Sequence, residues 1–279
     1  KISKVYGIFN GTTNYILSTM EERGISFQEV LKEAKKLGFA ETNPIADLNG
    51  TDAASKIRIL SSIAFNQTMS KGKFLTEGIQ NINLNDIAYA KNLGYKIKLL
   101  SISEFKNNKL IERVHPSLIK RKSYIANING VLNAIIIDGH PIGKSILQGE
   151  GAGPGPTSSA LISDLCSILR GNIKYPFGVS GFLRKKAKKF NVLFQSCSSY
   201  LRIEVKDQSG VLSSITKIFA KNKISIKNLI QIPERTKNVA TIAIITHTSF
   251  EKNFNSLIKS LVKNKFVLKK PTLIRIEKV

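Results

Sequence analysis

The sequence predicts an α/β (α+β) protein built from two domains. Three observations support this class. The chain has 279 residues with 42% hydrophobic content, enough for two ordinary cores. Its first two thirds place strand-like segments between helical patterns, and its last third alternates strands and helices. We expect a first domain at 1–180, a linker at 181–198 and a second domain at 199–279.

The clearest helix of the first domain is predicted at 26–38. Ser26 and Glu29 have the spacing of a capping box, and Gly38 ends the helical pattern. Its apolar residues fall on one stripe, which is typical of a helix packed on a core.

Two more helices are expected on either side of it. One begins within 10–20, with Thr12 or Thr13 as its cap, and the other runs from about Asp52 to Phe65. A further helix is predicted at 84–94.

The middle of the chain reads mostly as strands. The segments are 95–105, 109–119, 131–140 and 145–151. A helix at 156–171 follows, with Pro156 near its first turn. Together they predict a mixed sheet with flanking helices.

The last third has the order strand, helix, strand, strand, helix, strand. The segments are 200–207, 210–222, 225–232, 239–248, 249–264 and 272–278. This order is that of the ferredoxin-like split βαβ unit.

The chain is strongly basic, with 43 Lys and Arg against 19 Asp and Glu and a formal net charge of +24. The positive charge is spread out, and the one dense run, at 184–189, has no interleaved aromatic residues. We therefore expect a lysine-rich surface and no nucleic-acid partner.

The sequence contains no apolar run long enough for a membrane span, and its start has no signal-peptide pattern. We expect a cytoplasmic protein with no membrane partner and reduced cysteines. Two cysteines and three histidines give no metal-ligand spacing, so no metal site is predicted. His115, before a proline, is expected in a turn.

The segment 41–56 departs from the basic composition. It contains Glu41, Asp47 and Asp52 but only one base, Lys56. Asp52 and Lys56 are four residues apart with the carboxylate first, the favoured order for an ion pair on one helix face.

Two interpretations of that pair are open. One is a surface ion pair of small energetic value. The other is a functional lysine in a cleft, favoured because Ile59, Leu60 and Ile63 continue the same face as Lys56 and indicate an apolar environment. Carboxylates beside a partly desolvated lysine would suit a zwitterionic substrate and a proton donor.

The same stretch resembles the signature of the homoserine dehydrogenase family. The matching residues are Ala34, Gly38, Phe39, Asn43, Pro44, Asp47, Leu48, Gly50, Asp52 and Lys56. The segments 7–17 and 149–160 are similar to segments of that family, in the same order. The second domain is similar to an ACT domain through 207–226.

The resemblance implies interconversion of aspartate 4-semialdehyde and homoserine, with NADP or NAD as cofactor. Under it, Lys56 donates the proton to the carbonyl oxygen and Asp52 orients Lys56. Glu41 binds the amino group of the substrate, and Asp47 is a second polar contact.

The resemblance also implies that Gly11 and Thr12 line the substrate pocket and that Gly151 approaches the dinucleotide. Phe39 belongs to the pocket too, but some relatives have tyrosine there, so a hydroxyl contact is lost while the ring can still pack.

One feature of the family is absent from this sequence. No strand followed by G-x-G-x-x-G occurs, although the family needs a dinucleotide-binding Rossmann domain. We expect that domain on the N-terminal side of Lys1, and we expect these residues alone to be inactive.

The ACT resemblance implies an amino-acid effector, threonine, held near Asp207 and Gly210, and a homo-oligomer. The alternative is a domain that only packs and dimerises. Two other functions stay open: a non-catalytic amino-acid-binding regulator, which predicts loss of the acidic cluster, and a nucleic-acid-binding protein, which predicts a focused positive face.

Overall fold

The computed structural model describes residues 1–69, 72–172, 179–180, 183–233 and 238–279. These residues form two compact units. The first unit comprises Lys1–Leu84, Lys98–Pro116 and Lys122–Phe190, and the second comprises Asn85–Ile97, Ser117–Arg121 and Asn191–Val279.

The elements follow one another in chain order. The first six are β1 (Ile2–Ile8), α1 (Gly11–Arg23), α2 (Phe27–Lys36), α3 (Ile45–Leu48), α4 (Thr51–Phe65) and β2 (Leu75–Thr76). The next six are α5 (Leu84–Asn92), β3 (Tyr95–Lys106), β4 (Lys109–Lys120), β5 (Leu132–Gly139), β6 (Gly143–Glu150) and α6 (Pro154–Leu169). The last eight are β7 (Lys188–Lys189), β8 (Ser196–Lys206), α7 (Val211–Lys221), β9 (Ile226–Pro233), β10 (Val239–Thr246), β11 (Ser249–Phe250), α8 (Glu251–Val262) and β12 (Thr272–Ile276).

The first unit is built on a sheet with the strand order β6, β5, β1, β3, β4. β1 pairs antiparallel with both β3 and β5, and β2 and β7 pair in parallel with β4. The sheet is therefore mixed, as predicted. α4 packs on β1 and α1 packs on β5, so helices flank the sheet.

The central strand β1 was not predicted from the sequence. Its Gly7 lies where a Cβ atom would come within 2.0 Å of the carbonyl oxygen of Ala134 on β5. Close approach of two backbones explains a glycine in a central strand, where the residue is otherwise unfavourable.

The ends of the first helices are set by local signals. α2 has the predicted capping box of Ser26 and Glu29. α1 is capped by Asn10, whose side chain accepts a hydrogen bond from the backbone N–H of Thr13, so the predicted cap at Thr12 or Thr13 is wrong. Asn10 is a strong capping residue two positions earlier, and the helix begins at Gly11.

The second unit has the predicted ferredoxin-like order. The strand order in its sheet is β12, β8, β10, β9, and each neighbouring pair is antiparallel. α7 and α8 bury their apolar faces on the sheet, around Leu201, Ile215, Phe219, Phe254 and Leu257. The fold class predicted for this part of the chain is confirmed.

The second unit also takes in two segments that the predicted limits assign to the first domain. Asn85–Ile97 contains most of α5, and Ser117–Arg121 contains the end of β4, which pairs in parallel with β12. Asp86 of α5 is fully buried and accepts hydrogen bonds from Arg202 and Tyr200 of β8. The chain passes between units after Phe190, inside the predicted linker, whose residues 181 and 182 lie outside the described residues.

His115 lies in β4 and is fully buried, so the turn predicted there is wrong. Pro116 follows it within the same strand. No helix in the described part of the chain is long and apolar enough to cross a membrane.

Candidate active site

Asp52 and Lys56 form the predicted ion pair on one face of α4. Asp52 Oδ2 lies 2.9 Å from Lys56 Nζ. The helix starts after Gly50, whose φ of 83° is a conformation that glycine adopts without strain. Asp52 is therefore in the first turn, where the helix dipole favours a carboxylate.

The surroundings of Lys56 differ from those predicted. The Lys56 side chain is 48% exposed, and Ile59 and Ile63 are also exposed. The prediction that this face of α4 continues into an apolar environment is therefore wrong. The buried face of α4 passes instead through Ile57 and Ser61. Ser61 donates a hydrogen bond to a backbone carbonyl within α4 and also contacts a serine of β3. These bonds allow a polar residue to face the core. A prediction from hydropathy alone therefore selects the wrong face of the helix.

The two residues before α1 hold this pair in place. The carbonyl oxygen of Phe9 accepts a hydrogen bond from Lys56 Nζ at 3.1 Å. Asn10 Nδ2 donates to Asp52 Oδ2 at 2.9 Å and to Asp47 Oδ1 at 2.7 Å. The junction of β1 and α1 therefore contacts both members of the ion pair.

Phe9 and Asn10 were missed as site residues. The one local signal was the capping preference of an asparagine immediately before the "GTT" helix start. That signal predicts a helix end, and only the folded chain shows the contacts with Asp47 and Asp52.

Asp47 lies on α3, a short helix between α2 and α4, and the structure brings it to the same cluster as Asp52. Glu41 is exposed in the connection between α2 and α3. Within the described part of the chain, no hydrogen bond or ion pair joins the Glu41 carboxylate to Asp47, Asp52 or Lys56. Glu41 is therefore close to Asp47 along the chain, but its exposed side chain is not bonded to the cluster.

Gly11 and Thr12 begin α1, next to Asn10. Thr12 Oγ1 donates a hydrogen bond to the carbonyl oxygen of Phe39 at 2.6 Å, which ties the connection after α2 to the start of α1. A Cβ atom on Gly11 would lie 2.6 Å from the carbonyl oxygen of Val131. Glycine is therefore required by the close passage of the chain.

The aromatic ring of Phe39 packs on Tyr15, with ring centroids 4.9 Å apart. Tyr15 in turn donates to Glu33 Oε1 at 2.7 Å, and Arg23 pairs with the same carboxylate at 2.7 Å. The hydrogen bonds from Tyr15 and Arg23 lower the pKa of Glu33. Burial, followed by the Glu33 carboxylate, raises the pKa of Tyr15. Phe39 thus packs on Tyr15, whose hydroxyl is bonded to the ion pair of Glu33 and Arg23.

Gly151 lies in the loop that leads to α6. A Cβ atom there would come within 1.6 Å of Asn133 Nδ2 on β5. This close packing is enough to explain why residue 151 is a glycine, even with no ligand bound. Contact of Gly151 with a dinucleotide stays a prediction. Asn133 Oδ1 is a buried atom without a hydrogen-bond partner among the described residues.

The predicted effector residues lie between β8 and α7. Gly210 has φ of 84° and caps α7, and Ser214 N–H donates to its carbonyl oxygen. The backbone N–H of Asp207 donates to the carbonyl oxygen of Asn238 at 2.9 Å. The loop is exposed and contributes no side-chain cap to the helix.

The chain combines a carboxylate–lysine site in an α/β unit with a ferredoxin-like unit of the ACT class, whose family model matches residues 199–266. Residues 1–166 match the family model of homoserine dehydrogenase. The chain belongs to the homoserine dehydrogenase family.

Named relatives agree with this assignment. The homoserine dehydrogenase of Helicobacter pylori is 40% identical over 97% of this chain, and that of Neisseria gonorrhoeae is 38% identical over 99%. The solved structure of a homoserine dehydrogenase from Thiobacillus denitrificans superposes with a TM-score of 0.87 at 37% identity and covers 99% of this chain. The chain spans 64% of the Helicobacter protein, 65% of the Neisseria protein and 64% of the Thiobacillus chain.

Proposed function

We propose that this chain provides the substrate site of an enzyme that reduces aspartate 4-semialdehyde to homoserine, with NADPH or NADH as the reductant. The observation that carries the proposal is the fixed position of the Lys56 ammonium. Among the described residues, two of its three N–H donors have acceptors, Asp52 Oδ2 and the carbonyl oxygen of Phe9. The third is left for an oxygen of the substrate.

In this proposal Lys56 donates a proton to the aldehyde oxygen as that oxygen becomes an alkoxide. Asp52 keeps the side chain in one rotamer and compensates its charge. A positioned general acid of this kind contributes about 10² to 10⁴ in rate. The reduced dinucleotide supplies the hydride.

The other groups of the substrate match the remaining residues. Glu41 is exposed and accepts the substrate ammonium, and Asp47 is a second polar contact beside it. The backbone N–H groups of Gly11 and Thr12 at the positive end of α1 suit the substrate carboxylate.

The glycine-rich loop at 149–155 is the part of the described chain that fits a dinucleotide. It leads into α6, a helix of 16 residues, and Gly153 with φ of 109° and Pro154 form its start. Small residues let a phosphate approach the backbone, and Gly151 belongs to this loop.

We also propose a homo-oligomer. Large apolar side chains are exposed on β6 and α6 of the first unit. They are Leu147 of β6 and Leu161, Leu165 and Leu169 of α6, and Ile142 in the turn before β6 is also exposed. Exposed large apolar side chains in this number are typical of an interface. Light scattering of the purified protein tests the proposal, and a monomer at all concentrations would contradict it.

For the second unit we propose that a small amino acid, threonine, binds at the loop from Asp207 to Gly210 and inhibits the enzyme. The exposed start of α7 offers backbone N–H groups for a carboxylate. Threonine is titrated against the enzyme by calorimetry and by activity. Absence of both heat and inhibition would contradict the proposal and favour a domain that only packs.

The test of the activity uses the protein expressed from its complete open reading frame. Oxidation of NADPH and of NADH is followed with aspartate 4-semialdehyde and, as a matched control, with succinic semialdehyde, which lacks the amino group. We expect turnover of the first aldehyde and little of the second, because Glu41 has no ammonium to bind. No turnover of either would favour a non-catalytic regulator.

A further inference from the structure

Asn10 is a buried asparagine between the two aspartates of the site. The residue is 5% exposed. Nδ2 donates to Asp47 Oδ1 and Asp52 Oδ2, and Oδ1 accepts from the backbone N–H of Thr13. Both ends of the amide therefore have specific partners.

The contact between one amide nitrogen and two carboxylates has a direct physical meaning. The distances of 2.7 and 2.9 Å bring the oxygens of Asp47 and Asp52 to the same nitrogen. Two negative charges this close repel one another. A primary amide places two N–H donors on one nitrogen without adding charge, so an asparagine can bridge two carboxylates at a fixed separation.

Asp52 Oδ2 is also the oxygen that pairs with Lys56. Asn10 and Lys56 thus share one acceptor, and Lys56 also donates to the carbonyl oxygen of Phe9, the residue before Asn10. Rotation of the Asp52 carboxylate would move the ammonium with it.

We propose that Asn10 is a positioning residue, which sets the separation of Asp47 and Asp52 and thereby the position of the Lys56 ammonium. The inference rests on the proposed function, because it assigns Lys56 to proton donation. Without the bridging amide, the carboxylates separate and Lys56 follows Asp52. A displacement of about 1 Å at a catalytic group can cost about 100-fold in rate.

Asn10 is also the cap of α1, and a series of substitutions separates the two roles. As helix caps, Asn, Asp and Ser are nearly equivalent and Ala is worse by about 1 kcal/mol. Neither Asp nor Ser carries an amide that bridges two carboxylates. The variants Asn10→Asp, Asn10→Ser and Asn10→Ala therefore all remove the bridge, while the cap is kept in the first two and lost in the third.

The series is measured in the protein expressed from its complete open reading frame, by urea unfolding and by kcat and KM for aspartate 4-semialdehyde. Ser26→Ala, which removes the cap of α2, is the matched control for loss of a helix cap. We expect kcat to fall about 100-fold in all three Asn10 variants, with KM changed less than about threefold. The Ser variant should unfold close to wild type, the Asp variant should lose stability because a third carboxylate meets Asp47 and Asp52, and the control should keep its kcat.

Two results would overturn the inference. One is activity that follows the cap order, with Asp and Ser near wild type and only Ala reduced. The other is a rise in KM at constant kcat, which would make Asn10 a binding contact. If Asn10→Asp unfolds because three carboxylates meet, the uncharged Asn10→Ser variant gives the same comparison.

The outcomes also separate this inference from the proposed function. An inactive wild type contradicts the function itself. An active wild type with an inactive Lys56→Ala variant and a fully active Asn10→Ser variant contradicts the inference alone.

Discussion

Thr12 Oγ1 donates a hydrogen bond of 2.6 Å to the carbonyl oxygen of Phe39, across 27 residues of chain. This bond connects the start of α1 to the segment that leads to Glu41 and α3. It gives the exposed connection after α2 an anchor at the site.

Replacing Thr12 with valine tests that anchor. The substitution keeps the shape of a buried side chain but removes the donor, which costs about 1 kcal/mol in the free energy of unfolding. We expect KM for the substrate to rise severalfold, since the connection loosens, while kcat changes less. Urea unfolding and steady-state kinetics measure both. Thr12→Ser keeps the hydroxyl and should behave as wild type; an unchanged KM in Thr12→Val would contradict the anchor.

The packing of Gly151 on Asn133 predicts a loss of stability in Gly151→Ala. The new Cβ atom would overlap the Asn133 amide at 1.6 Å, so the side chain must move. Adding Asn133→Ala makes room and should restore the unfolding midpoint. If Gly151 also faces the dinucleotide, the double variant keeps a raised KM for NADPH. Restoration of both quantities would show that the glycine serves packing alone.

The buried cluster around Asp86 predicts strong dependence of the second unit on one carboxylate. Asp86 is fully buried and pairs with Arg202 at 2.8 Å. Asp86→Asn removes one of the two carboxylates that pair with Arg202, and Glu204 remains as the other, so we expect a loss of about 1.5 to 3 kcal/mol in the free energy of unfolding. Lys269→Ala, at an ion pair whose lysine is 74% exposed, is the control and should change stability by less than about 0.5 kcal/mol. Equal effects of the two variants would contradict this account of the cluster.

Cys197 is predicted to react slowly with thiol reagents. Burial, only partly offset by a hydrogen bond with Ser199, raises the pKa of the Cys197 thiol from 9.0 to about 11. In a Cys166→Ser variant at about pH 8, labelling should be about 100-fold slower in the folded protein than in urea, because the thiolate is the reactive form. Labelling at the same rate in both conditions would contradict the assigned burial.

The ferredoxin-like unit could be predicted from the sequence because its strands and helices differ in period and are separated by turns. The observed α7 and α8 lie within a few residues of the predicted helices. β1 could not be predicted in the same way. It is a short segment with a glycine, and its pairing with β3 and β5 depends on residues about a hundred positions away along the chain.

In the candidate site, too, contacts between residues far apart along the chain could not be predicted from the sequence. The spacing of Asp52 and Lys56 indicates an ion pair, since both lie on one helix. Asn10 contacts Asp47 and Asp52 across 37 and 42 residues, and no local pattern carries that contact. The buried face of α4 was predicted wrongly because Ser61 lies in the core through a hydrogen bond that hydropathy does not register.

In the proposed reaction the Lys56 ammonium, held by Asp52, protonates the aldehyde oxygen. The most direct measurement is kcat for aspartate 4-semialdehyde in Lys56→Ala, beside Lys36→Ala as a control at an exposed lysine of α2. We expect kcat to fall at least about 100-fold in Lys56→Ala with a normal unfolding curve, because the exposed ion pair contributes little to stability. The control should keep full activity. Full activity in Lys56→Ala would contradict the account.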